Sequence, residues 1–329
     1  MLRILHDTNY DFIRWWKVMA AITIAFIVLG LGSLAIKPLN LSIEFTGGTL
    51  IQLEFTQPPD VGLIRSTLDE ANVHGAEIQQ FGTNREFTVR AQDPAAVASQ
   101  SKGAESIAVT IERVLKQKFG DNNLKVMRTE AVGPRVGSEL KRGAIIAILL
   151  SFLITLIYLS IRFEWRFATA AVIATSHDVF TTIAFLKLMH LEISLTVVAG
   201  LLTVLGYSLN DTIIIFDRVR ENLRKGRKET LYETLNRSIN ETLPRSVLTH
   251  ATVFAATLSL LIFAGEVIRP FAWVMAFGVV TGTFSSIYVA APVLLWIERK
   301  WPRKTSSRQS SSTATPTSRT RRSTATATR

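Results

Sequence analysis

The sequence contains no cysteine in its 329 residues. That excludes disulfides, thiolate nucleophiles and cysteine-held metals, and it leaves Asp, Glu, Arg and His to carry any chemistry. It also has no acidic residue after Glu298: residues 299–329 hold nine of the Lys and Arg side chains, so the formal charge of +11 is mainly a tail, and +2 belongs to the rest of the chain. The tail ends in KTSSRQSSSTATPTSRTRRSTATATR, which has almost no large apolar residues and cannot bury enough surface to fold. Residues 299–329 are therefore expected to be disordered and to lie near anionic lipid, not to make a specific nucleic-acid contact. No phosphate loop is present, because Gly47-Gly48 lacks the GxGxxG or GxxxxGK[ST] context. No cofactor and no metal site is expected.

Long apolar runs are what the chain has instead. It is 48% hydrophobic, and six segments approach the ~20 residues needed to cross a bilayer as a helix: 17–36, 144–161, 167–188, 193–216, 246–265 and 271–297. The fold class is thus a polytopic α-helical membrane protein. The first run is too long for a signal-peptide core and is preceded by Asp7 and Asp11, so it is expected to stay as an anchor after a short N-terminal segment, 1–16. Lys and Arg concentrate in 217–245, in the turn IRFEWR and in the tail, which puts those segments and both termini on the cytoplasmic side.

This orientation leaves residues 37–143 outside as one domain, with a five-span membrane region at 144–298. In IEFTGGTLIQLEF, Ile51, Leu53 and Phe55 alternate with Gln52 and Glu54, the pattern of a half-buried strand. A helix with Val61, Ile64 and Leu68 on one face follows, then the strands EIQQF and EFTVR, a helix carrying Ile107, Ile111, Val114 and Leu115, and a closing strand LKVMRTEAV. The order β-α-β-β-α-β is that of a ferredoxin-like α+β domain, two helices on one face of an antiparallel sheet. Gly47 and Gly48 are expected to serve as a bulge or close crossing above the first span. Near 229–243, Leu231, Leu235, Ile239 and Leu243 share one face, which predicts an amphipathic helix at the membrane surface.

Within the spans the polar residues recur at helical spacing. Gly200, Thr203, Tyr207, Asn210 and Asp211 fall on one stripe of the fourth span; Thr175, Asp178, Thr181 and Thr182 on one of the third; Arg245, Thr249, Thr252, Ala256 and Ser259 on one of the fifth. These faces are candidates to meet. At ~1.5 Å per residue Asp211 lies ~9 Å inward from Asp217. An ionisable group there is costly unless paired, neutralised or hydrated, and such groups mark ion or proton paths. Asn210 has an alternative role as an interhelical hydrogen-bond donor, Asp178 as part of a local network with His177, and Arg245 as an interfacial arginine whose head reaches water. Gly278 and Gly282, at GxxxG spacing, favour close helix packing.

At GYSLNDTIIIFDRVREN, with FTGGT upstream and SHDV in the third span, the chain resembles the SecF family of protein-export membrane proteins, part of the resistance-nodulation-division superfamily. The resemblance runs from about residue 10 to residue 300 and leaves the tail outside. It implies a subunit that pairs with a six-span SecD-like chain, works with the SecYEG channel and SecA on a translocating preprotein in a bacterial-type inner membrane, and draws on the proton gradient. It places the family's membrane carboxylate on Asp211 and its membrane arginine on Arg245; Asn210 and Asp178 complete the candidate proton pathway, and Gly47, Gly48, Gly206, Gly278 and Gly282 are the candidate structural or hinge glycines. No enzymatic activity is implied. Two other classes compete: a superfamily transporter for a small molecule or lipid, which normally joins two six-span repeats, and an intramembrane aspartyl protease using Asp178 and Asp211, against which GYSLND is not the GxGD of such proteases.

Overall fold

The computed structural model describes residues 8–302 apart from 74, 92–101, 226–228 and 266, and of 102–106 the backbone alone. Most of the tail expected to be disordered thus lies outside the described residues. The first span is Ile13–Ala35, with helix α1 (Trp16–Gly32) between two short 3-10 turns. A one-turn helix α2 (Ile43–Thr46) leads into β1 (Gly48–Phe55), then α3 (Val61–Glu70), β2 (Glu77–Gln80), β3 (Glu86–Ala91), α4 (Lys102–Phe119) and β4 (Leu124–Val132). The membrane helices follow as α5 (Pro134–Arg162), α6 (Trp165–Leu188), α7 (Leu195–Arg224) and α8 (Leu231–Phe263). The last span consists of α9 (Arg269–Ser285), a π-helical turn (Ser286–Ala290) and α10 (Ala291–Lys300). All six long segments are apolar enough to cross a membrane.

The small domain has the expected element order. Its sheet runs β2-β3-β1-β4, with β1 antiparallel to both β3 and β4. The alternation seen in the sequence is real: Ile51, Leu53 and Phe55 pack with Phe87, Val89, Ile64, Leu68, Ile111 and Leu115 in one core, so α3 and α4 cover the same face. Burying side chains of this size contributes ~1.5–3 kcal/mol each. Asp60 caps α3, accepting from the Gly62 amide at 2.8 Å.

One local expectation fails. Ile43–Thr46 is helical, not the start of the first strand: the Thr46 amide donates to Ser42 O and the Gly47 amide to Ile43 O, and the turn sends Phe45 into the core under the membrane end of the domain, apart from the sheet core. Gly47 and Gly48 then reverse the chain at φ +74° and +122°, values open to glycine at little cost. A Cβ on Gly47 would lie 2.9 Å from the Pro134 Cα, so the entry to β1 crosses directly against the start of α5. That helix begins at Pro134, ten residues before the apolar run, with proline at its first position.

In the membrane region α6, α7 and the last span form the centre and α1, α5 and α8 the outside. More than half of the apolar stretch is buried in the first group, against 17% or less in the second. Gly30 lets α1 approach Ala184 of α6, and Gly278 and Gly282 bring α9 onto Val204 and Ser208 of α7; an added Cβ at Gly278 would sit 2.2 Å from Val204. The segment expected as a separate surface helix near 229–243 is the first half of α8, which runs unbroken through Pro244. An internal proline costs ~3 kcal/mol. Offsetting it, Leu235 and Ile239 are buried in the membrane core, Asn222 of α7 donates to Ser238 (3.1 Å) and Glu241 (2.8 Å), and the Tyr10 and Phe12 amides donate to Asn240 and Asn236, both at 2.9 Å. The helix is fixed by tertiary contacts and does not depend on a lipid surface.

The domain is tied to the membrane helices by the linker 37–44. Leu41 bridges in parallel to Ile193, the Ile193 amide donates to Asn40 O at 2.7 Å, and Lys187 donates to the carbonyls of Lys37 (2.6 Å) and Pro38 (3.0 Å). Glu44 accepts from the Leu195 amide at 2.6 Å, at the start of α7. Arg90 on β3 pairs with Glu192 in the α6–α7 turn and donates to Leu41 O at 3.1 Å. Between the open face of the sheet and this turn lies a cleft of about 180 Å³.

Candidate functional site

Among the described residues two buried carboxylates lie within the spans, Asp178 and Asp211, each accepting from serine on another helix. Asp178 on α6 is fully buried. Its Oδ2 accepts from Ser208 of α7 (2.5 Å) and Ser285 of α9 (2.7 Å), and its Oδ1 lies 3.2 Å from His177 Nδ1. The π-helical turn after Ser285 aligns a second contact, Ser286 with Thr212 of α7 at 2.8 Å; a π turn inserts one residue and re-aims the side chains beside it. The glycine-mediated approach of α9 to α7 is what allows both serines to reach. Thr175, Thr181 and Thr182 are buried on the same side of α6 as Asp178, and their hydroxyls return to their own helix carbonyls.

Asp211 on α7 is 2% exposed. Its Oδ1 accepts from Ser246 of α8 at 2.9 Å, and its Oδ2 lies 3.7 Å from Nδ1 of His250, one turn further along α8. Thr242, Ser246 and His250, at i, i+4 and i+8, are buried facing α7. Tyr207 packs edge-on against the His250 ring at 5.1 Å and donates to Thr249 O at 3.2 Å. Among the described residues no hydrogen bond joins Asp178 to Asp211.

Arg245 takes a different position. Its side chain lines an open cleft of about 440 Å³ at the end of the molecule opposite the sheet domain, with Tyr158, Arg162, Ile213, Asp217 and Glu241, and among the described residues no ion pair connects it to Asp211. It is joined to the carboxylate through its neighbour Ser246. At the same end Arg218 binds Glu241 and Glu221, each at 2.6 Å, and Arg166 reaches Glu298 at 3.3 Å, so the start of α6, the end of α7 and the end of α10 all meet there.

The stripes read from the sequence are present but face differently. Of the α7 stripe, Gly200 and Asp211 are buried as expected, Tyr207 is half-buried, and Thr203 and Asn210 are exposed, as is Gly206; the buried arc also takes in Leu201, Leu205 and Leu209. Asn210 and Asp211 are consecutive, ~100° apart on a helix, and the buried arc of α7 takes in Asp211 with Thr212 and leaves Asn210 outside. On α8 the stripe is likewise outward at Arg245, Thr252, Ala256 and Ser259. The Asp178 stripe therefore meets α7 and α9, and not α8. Sequence reasoning missed Ser208, Ser246, His250, Ser285 and Ser286. The spacing of Thr242, Ser246 and His250 was a usable signal, but the polar residues of α8 populate more than one face.

The family description "Protein export membrane protein SecD/SecF, C-terminal" matches residues 110–300, and "SecD/SecF GG Motif" matches residues 32–59. The chain belongs to the SecD/SecF family. Protein translocase subunit SecF of Gemmatimonas aurantiaca is 62% identical over 305 residues, covering 92% of this chain and 91% of that one. The SecF subunit of Calditerrivibrio nitroreducens is 40% identical over 297 residues, 90% of this chain and 96% of that one. Among solved structures, SecDF from Thermus thermophilus, a translocon-associated membrane protein, superposes with a TM-score of 0.80 at 34% identity over 91% of this chain. The chain spans 40% of that SecDF chain's length. Gly47 and Gly48 are the only adjacent glycines within the matched GG-motif segment, and the crossing at Pro134 gives that pair a physical role.

Proposed function

We propose that this chain is a SecF-type subunit that joins a SecD-like six-span partner in a bacterial-type inner membrane and uses the proton gradient to assist movement of a preprotein delivered by SecA through SecYEG. The observation that carries this reading is Asp211: a carboxylate buried within a span, held by one serine hydroxyl with an imidazole 3.7 Å away, in a chain belonging to a protein-export family. A charged Asp at the middle of a span costs ~2.5–3.5 kcal/mol, so retention there calls for a task that packing does not supply. Arg245, Asn210 and Asp178 are assigned to the same pathway. Arg245 contributes a fixed positive charge at the mouth of the cleft, and Asp178 is a hydroxyl-locked group coupling α6, α7 and α9.

The Lys and Arg side chains near the 440 Å³ cleft favour a cytoplasmic location for that end and for both termini, with the sheet domain outside. The exposed Thr203, Gly206, Asn210, Thr252 and Ala256, with half-buried Thr249, give a partner's helices a surface of small side chains at membrane depth. Gly47, Gly48 and the Gly133-Pro134 turn are the points about which the domain moves against the emerging chain. A proton crossing the membrane contributes ~2.3 kcal/mol per 100 mV, enough to bias a two-state element.

The test is purification of the chain from its own membranes in mild detergent, followed by reconstitution with the channel and SecA with and without the co-purifying six-span subunit. Capture of a SecD-like chain with the channel, and gradient-stimulated preprotein transport only when that subunit is present, is the expected result. A bound lipid or small molecule with no translocon component would instead place the chain among small-molecule transporters.

A further inference from the structure

The structure points to His250 as a second protonatable member of the Asp211 site, a positioning and relay group between Asp211 and a crevice on the outer side of α8 and the last span. This inference rests on the proposed role of Asp211 and adds a residue to it. Nδ1 of His250 lies 2.7 Å from the carbonyl oxygen of Ser246. A carbonyl only accepts, so Nδ1 carries the hydrogen when the ring is neutral. The same nitrogen is 3.7 Å from Asp211 Oδ2, so a small shift of α8 or of the side chain turns its proton from the carbonyl to the carboxylate.

The other nitrogen, Nε2, is buried and has no hydrogen-bond partner among the described residues. The ring forms part of the wall of a mostly apolar crevice of about 410 Å³ shared with Phe254, Val279, Thr283, Ile287 and Tyr288, in which Thr283 and Tyr288 are the other polar side chains. A buried lone pair without a donor costs free energy unless it is used. Here it is the position from which a proton enters. The groups facing His250 are Tyr207 and Asp211 from α7 and Tyr288 from the last span, with Arg245 five residues earlier on its own helix; His177 and Asp178 of α6 are engaged with each other, Ser208 and Ser285.

A hydronium ion reaching Nε2 gives up its proton, forming an Nε2–H bond and leaving water. The imidazolium then loses its Nδ1 proton to Asp211, so one N–H bond breaks, one carboxyl O–H bond forms, and the anion and the cation are neutralised together. The ring resets by proton exchange with water. A permanently charged arginine at this position would hold Asp211 ionised, whereas an imidazole can give up its charge and so release the carboxylate.

The deciding experiment compares wild type, His250→Asn and Asp211→Asn in membrane vesicles containing the assembled complex. Preprotein transport is measured with and without a protonophore at steps between about pH 5.5 and 8. Asparagine keeps a donor near the Nδ1 position for the Ser246 carbonyl but does not titrate, so a purely structural histidine is rescued by it. The relay predicts that His250→Asn loses at least about fivefold of the gradient-dependent increment where wild type is most active, and that its profile becomes flat across the imidazole range. A wild-type increment and profile in His250→Asn, with the increment lost in Asp211→Asn, overturns the role of His250 and leaves that of Asp211 standing. A full increment in Asp211→Asn overturns the reading of Asp211 itself. pH-difference infrared spectra provide a readout without transport: the Asp211 carboxyl band, identified by its loss in Asp211→Asn, must change its pH midpoint in His250→Asn, and an unchanged midpoint overturns the inference.

Discussion

At the scale of single residues, Asp178 and Asp211 solve the same problem with different partners. Asp178 accepts from two serines and has a neighbouring imidazole, with its whole side chain enclosed. Asp211 has one serine at hydrogen-bond distance and an imidazole beyond it. The first arrangement is a lock and the second is poised to change. Removing one lock donor leaves a buried carboxylate underprovided, at a cost of ~1–3 kcal/mol; Ser285→Ala is thus expected to lower the thermal midpoint of the purified protein, and an unchanged midpoint would show that Asp178 does not depend on that bond. Both aspartates were legible in the sequence, because a carboxylate in an apolar run stands out. Their serine partners were not. Serine is common in spans and commonly bonds its own helix, as Ser176 and Ser259 do, so only the three-dimensional approach of α7, α8 and α9 singles out Ser208, Ser246 and Ser285.

At the scale of elements, alternation in β1 and β3 predicted the core of the sheet domain correctly, because a period of two has one solution once a face is buried. The helical stripes of α7 and α8 were found but turned in part to the wrong side, since a helix in a membrane bundle has apolar residues on both its lipid and its protein face, and polarity alone does not separate them. The glycine crossings can be tested directly. Gly278→Leu places a side chain where even a Cβ meets Val204 at 2.2 Å, and separating α9 from α7 withdraws Ser285 from Asp178. Loss of assembled protein or a lowered thermal midpoint is expected, and wild-type behaviour would contradict the close packing.

The joint between the domain and the membrane helices makes a pH prediction. Burial in the cleft holds the Glu192 carboxyl above its ordinary value of 4.5, while the Arg90 charge pulls in the opposite direction without cancelling it. The docked state therefore takes up a proton that the undocked state releases. Its contribution to docking is complete below the ordinary value and is lost as pH rises through the raised one. Because the chain has no native cysteine, spin labels at positions 127 and 189, both exposed, report the distance across the joint cleanly. The docked fraction is expected to fall with rising pH in wild type and to become independent of pH over that range in Glu192→Gln; the same dependence in both proteins would exclude Glu192 as its source.

At the scale of the whole molecule, the sheet domain, linker 37–44, the α6–α7 turn and the buried centre of α6 and α7 form one continuous path from the cleft under Arg90 to Asp178 and Asp211. Leu186, Val197, Leu201 and Val204 pack with Phe45 in a single core along that path, the contact through which a shift of α7 would reach the base of the domain. In the proposed cycle, protonation of Asp211 would weaken its hold on α8 at Ser246, and the crossing at Gly47 would serve as the pivot of the domain. The measurement that tests this most directly is the protonophore-sensitive increment of preprotein transport in vesicles containing the assembled complex with Asp211→Asn, which keeps the shape of the side chain and removes its ionisation. The account predicts loss of that increment in complexes that assemble as wild type does. Full retention of the increment would make Asp211 a packing residue and contradict the account.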